Sequence, residues 1–130
     1  MDTSAFISFA DRSDDWHAVF RKLFAQPPSL VTTTLVVAEG HTWFLRRFDP
    51  HRAREWLAFI GSLKSLKVLA VGTADIAEGA TVARRFADQR LTLADALGIV
   101  IMNGRRIRSC WSTDFHLGLG GVPIVIDDAG

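Results

Sequence analysis

At 130 residues, with 48% apolar and 22% charged side chains and a net charge of +1, the chain has the makeup of one ordinary globular domain over residues 1–130. Its single cysteine, Cys110, excludes an internal disulfide framework, fits a reducing compartment, and reads as a small buried apolar residue on a strand. No apolar run approaches the roughly 20 residues of a membrane span, and the early acids Asp2, Asp11, Asp14 and Asp15 leave no signal-peptide pattern. A cytoplasmic location without membrane contact is therefore expected. A charge this close to neutral neither demands nor excludes a nucleic-acid partner.

From the N-terminus, Asp2-Thr3-Ser4 leads directly into an apolar helix over Ala5–Ala10. Ser13 or Asp14 is expected to cap a second helix, whose inward residues Trp16, Val19, Phe20, Leu23 and Phe24 recur at helical spacing up to Pro27-Pro28. Ser29–Thr32 reads as a short strand. Thr33–Phe48 reads as a helix with Glu39 on the face that the apolar pattern sends inward, where a lone carboxylate is costly unless paired or bound to a metal.

Asp49-Pro50 opens the next helix, with Trp56, Leu57, Phe59, Ile60 and Leu63 as its core stripe. Leu66–Val71 reads as a buried strand, and Gly72–Asp75 turns into a helix through Val82, Ala83 and Phe86. An apolar helix then carries Asp95 in its first turn, three residues after Thr92. Strands are expected at Ile107–Trp111 and Gly120–Ile126, and Asp127-Asp128-Ala129-Gly130 reads as a frayed acidic tail. Strands alternating with helices predict an α/β arrangement around a mainly parallel sheet.

In open α/β sheets, sites form beyond the carboxyl ends of the strands. Asp2, Glu39, Asp95 and Asp114 are placed to reach that edge. Taken singly, Asp2, Asp95 and Asp114 could each be no more than a helix cap. Together they could not share a small pocket as anions without a cation, and a hard ion such as Mg2+ or Mn2+ resolves the repulsion. The four histidines show no zinc-ligand spacing, and only His116 lies close in sequence to one of these acids; a surface or supporting role is expected for it. Arg46-Arg47, Arg84-Arg85 and Arg105-Arg106-Arg108 lie at or near helix ends, where the helix dipole favours them, and an RNA-backbone role is open for one or two of these clusters.

A resemblance adds to this reading. MDTSAFISFADRSDDWH resembles the opening of PIN-domain proteins, where an apolar strand ends in Asp-Thr/Ser-Ser before an apolar helix. LVTTTLVVAEGHTWFLRR resembles the second block of that family, LTLADAL the third, and CWSTDFHLGLGGV the fourth. The length and layout look most like the VapC-type toxins of toxin–antitoxin pairs. The resemblance implies a PIN-like, three-layer α/β/α fold with a central, mainly parallel sheet and a Mg2+- or Mn2+-dependent endoribonuclease in which activated water attacks phosphorus without a covalent enzyme intermediate. Asp2, Glu39, Asp95 and Asp114 would be the acidic metal site and the catalytic set, and Ser4, Ser112 and Thr113 the supporting hydroxyls. Implied partners are RNA, a cognate antitoxin covering the acidic groove, and a second copy in a homodimer.

The chain departs from the family pattern in having only Met1 before Asp2, so the first strand is expected either to be truncated, with Asp2 loosened, or to begin upstream. It also has Leu117 where Phe is common. The short first strand motivates a second reading, a catalytically impaired PIN-like binding module acting through dimer or antitoxin contacts. A third, an aspartyl phosphatase using Asp2 as nucleophile, would want a second Asp two residues on, where Ser4 stands.

Overall fold

The computed structural model describes residues 1–127, without the side chain of Asp127. The expected acidic tail therefore falls largely outside the described residues. Its first member, Asp127, closes a 3-10 turn over Val125–Asp127.

Local chemistry sets most of the helix starts. Helix α1 spans Thr3–Ala10. Helix α2, His17–Ala25, begins later than Ser13 or Asp14, because those residues form tight polar turns instead. The Asp11 carboxylate accepts the Ser13 N–H at 2.9 Å, and the Asp14 carboxylate accepts the Trp16 N–H at 2.8 Å. Strand β1 is Leu30–Thr33, and the Thr33 hydroxyl caps α3, Thr34–Arg47, by accepting the Val36 N–H. Asp49 caps α4, Pro50–Ser62, with Pro50 in its first turn. Strand β2 is Leu66–Leu69, α5 is Thr73–Arg85, and α6 is Leu93–Gly104. No helix is long and apolar enough to cross a membrane among the described residues.

The fold is rich in helix, with a small parallel sheet among the described residues. β1 and β2 pair in parallel, Leu30 opposite Leu66 through Thr33 opposite Leu69. The chain reaches the second strand through α3 and α4, as a parallel pair requires. β2 was expected to be buried, but it lies at the sheet edge, with Lys67 and Val68 exposed.

Among the described residues, the strand expected at Ile107–Trp111 shrinks to one parallel bridge, Cys110 to Ile124, which also takes the place of the strand expected at Gly120–Ile126. The strip Met1-Asp2 runs between β1 and Cys110-Trp111. The Met1 nitrogen donates to the Val31 carbonyl at 2.7 Å, the Thr32 hydroxyl to the Met1 carbonyl at 2.9 Å, and the Asp2 N–H to the Trp111 carbonyl at 3.0 Å. Asp2 is not loosened as expected: that residue is buried, 8% exposed.

Aromatic rings lock the helices to this strip. Phe24 of α2 meets Trp111 edge-on at 5.1 Å and Phe6 of α1 at 5.9 Å, while Phe6 meets Trp56 of α4 at 5.5 Å. α3 packs on α4 through the stripe Val36, Gly40 and Phe44. Gly40 is required there because a Cβ would strike the Trp56 ring, which stacks on Phe44 at 5.3 Å. Leu57, expected in the core stripe of α4, is 39% exposed on its outer face. α5 packs against α6. The side of α6 bearing Gly98 and Met102 meets Met1 and β1 around a small cavity of about 30 Å3.

Candidate metal centre

Asp2 stands at the N-cap of α1, yet its side chain makes no capping hydrogen bond. Its Oδ2 is turned toward two hydroxyls instead. Ser4 Oγ donates to it at 2.8 Å and Ser112 Oγ at 3.0 Å. The helix-cap reading of Asp2 therefore falls, and the residue is oriented by groups 2 and 110 positions away in the chain. Ser112, fully buried, also accepts the Asp114 N–H at 2.8 Å, so one hydroxyl positions two of the acids. Ser4 Oγ in turn accepts the Thr113 N–H at 2.9 Å. Ser4 and Ser112 thus act through their hydroxyls, and Thr113 joins through its backbone.

Asp95 lies in the first turn of α6 and does cap it. The Thr92 N–H donates to Asp95 Oδ2 at 3.2 Å and the Asp95 N–H to the Thr92 hydroxyl at 3.1 Å, a reciprocal capping box. Capping engages one carboxylate oxygen and fixes the direction of the other. The residue is 8% exposed, and burial raises its carboxyl pKa above the ordinary value; hydrogen bonding from Thr92 opposes that rise, and the negative charges of Asp2 and Asp114 add to it.

Asp114 follows the Cys110–Ser112 segment and caps a 3-10 turn, Phe115–Gly118. Its Oδ1 accepts the His116 N–H at 2.9 Å and also lies 2.9 Å from His116 Nδ1. Donor atoms of Asp95, Asp114 and His116 all lie within 4.8 Å of one another. His116 is thus a member of the site that sequence reasoning set aside. Its proximity in sequence to Asp114 was the available signal, but its approach to Asp95 depends on how α6 meets the turn.

Glu39 is the expectation the structure corrects. It is exposed, not inward. The buried stripe of α3 runs through Val36, Gly40 and Phe44, and Glu39 lies to one side of it. It borders a shallow groove with Thr42, Trp43, Arg46 and Arg47. The three-residue donor cluster does not include it.

The field of the site reaches the core. The Cys110 thiol is pushed up to about 11, first by burial and then by the charges of Asp2, Asp114 and Asp95, against the opposing N-terminal charge. This thiol is a buried core group, as expected from the sequence.

Carboxylates converging with an imidazole form a donor set that fits a divalent cation: oxygen-rich, with three donors within 4.8 Å of one another. None of the curated proteins matches the chain. Among solved structures, the crystal structure of VapC20 of Mycobacterium tuberculosis, a toxin that cleaves the sarcin–ricin loop, superposes with a TM-score of 0.85 at 22% identity, covering 95% of each chain. At that identity the likeness establishes the fold. The family described as PIN domain matches residues 1–109, and the chain belongs to the PIN-domain family.

Proposed function

We propose that the chain is a divalent-metal-dependent endoribonuclease acting as the toxin of a toxin–antitoxin pair. The observation that carries this is the convergence, in a PIN-domain chain, of Asp95 and Asp114, whose donor atoms lie within 4.8 Å of one another, with Asp2 joined to Asp114 through the Ser112 hydroxyl. Asp95 and Asp114 would hold the ion, with Asp2 beside them and its orientation set by Ser4 and Ser112. When bound, Mg2+ or Mn2+ supplies charge neutralisation at the scissile phosphate and activation of water for its hydrolysis. The chain's own part is to pre-orient the carboxylates so that little reorganisation accompanies the reaction. Glu39 enters on the family resemblance alone, as the fourth acid.

RNA is the substrate this reading requires, and the action of VapC20 makes a sarcin–ricin loop oligonucleotide the first one to test. An antitoxin and a homodimer belong to the same proposal. Purified chain with Mg2+ or Mn2+ should cleave RNA, and Asp95→Asn should abolish cleavage while keeping the fold. Glu39→Gln should reduce it less, because Glu39 stands outside the cluster. Equal cleavage by Asp95→Asn and the parent would remove the catalytic role of Asp95.

One observation favours a second reading, a binding module without catalysis: one of the four acids, Glu39, lies on an exposed flank of α3 outside the donor cluster. Titration of Mn2+ into the pure protein separates the two, since absence of binding would support the module.

A further inference from the structure

The four-acid scheme contains no nitrogen donor, yet the structure supplies one. His116 Nδ1 sits 2.9 Å from Asp114 Oδ1, and both have donor atoms within 4.8 Å of Asp95. Adjacent ligands of an octahedral ion with bonds of about 2.1 Å are about 3 Å apart, so the Asp114–His116 pair already has the spacing of one edge of a coordination octahedron.

The placement is built, not incidental. Asp114 accepts the backbone N–H of His116, which fixes the turn between them. Leu117, 3% exposed, anchors the next position against Gly98 of α6, the helix that carries Asp95. The chain contains its own control. His51 and Glu55 approach to 2.8 Å, with side chains 70% and 52% exposed, one turn apart on α4. That pair has no third donor within reach among the described residues and is an ordinary surface contact.

We propose that His116 is a direct metal ligand, through Nδ1, and that its imidazole makes the site prefer Mn2+ over Mg2+. The inference rests on the metal-site reading above and goes beyond it. Carboxylates and water satisfy Mg2+ as well as Mn2+, whereas imidazole binds transition ions far better than Mg2+. A site of acids alone would discriminate little between the two; one with His116 bound discriminates by the strength of one nitrogen bond.

The test is Mn2+ titration of the full chain followed by electron spin resonance, with pulsed detection of nitrogen coupling to the bound ion. Parent protein should show imidazole nitrogen coupling. His116→Asn should lose it and bind Mn2+ at least about tenfold more weakly, while Mg2+ affinity changes by less than about threefold. Mn2+ bound by the parent without nitrogen coupling would overturn the role of His116 and leave the acidic metal site standing, provided Asp95→Asn abolishes that binding. Equal weakening of both ions in His116→Asn would overturn the selectivity. No Mn2+ binding by the parent at all would overturn both this inference and the metal-site reading. His116 is partly exposed, and unchanged circular dichroism of the variant separates lost coordination from lost folding.

Discussion

Ser112 ties the site to the fold at a single atom. Its hydroxyl donates to Asp2 and accepts from the Asp114 N–H inside a fully buried setting. Ser112→Ala removes one donor from a carboxylate and strands a backbone N–H. It should destabilise the chain by about 1–3 kcal/mol, measured by urea unfolding, and weaken Mn2+ binding as Asp2 loses its orientation. Cys110 gives a second residue-level expectation. With its thiol pushed up to about 11, the folded chain holds that proton through a range where the unfolded chain, near 9.0, has released it. The native state therefore binds more protons between these values, and stability falls as pH rises through them. Cys110→Ala should flatten that fall in unfolding experiments between pH 9 and 11. The same thiol should resist alkylation at pH 8 until the chain unfolds.

Among the elements, α3 decides most. Its buried stripe is selected by Gly40, which lets the Trp56 ring of α4 lie against the helix backbone. Gly40→Ala should cost about 1–3 kcal/mol through overpacking, seen as a lower urea midpoint with an unchanged slope. The same contact explains why Glu39 faces outward. Sequence neighbours one turn away suggested an inward face, but a helix with apolar residues on more than one side does not announce which side its partner will cover. Helix starts were far more legible. Thr92 with Asp95, Asp49 with Pro50, and Asp114 before its turn act within three residues of themselves, so their roles survive any tertiary arrangement. The strands at 107–111 and 120–126 were not legible, because a strand exists only where successive partners pair with it, and among the described residues these two segments meet in the Cys110–Ile124 bridge.

For the whole molecule, the acids place negative charge where α1, α6 and the Cys110–Asp114 segment meet. A cation binding there stabilises the folded state by mass action. Mn2+ at a hundredfold excess over its dissociation constant should raise stability by about 2.7 kcal/mol. Thermal unfolding with and without Mn2+ measures this, and Asp95→Asn should show no such shift. The PIN-domain fold itself was legible from its sequence blocks, the first three of which lie within the family match over residues 1–109. What the sequence by itself determined is the set of locally capped helices, the parallel α/β character and the identity of the acids. Only the tertiary structure decided that Asp2 serves two hydroxyls and not its own helix, that Glu39 stands apart, and that His116 joins Asp95 and Asp114. The physical reason is range. A cap or turn acts over three or four residues, whereas the contact between Asp2 and Ser112 spans 110 and exists only once the whole chain has packed.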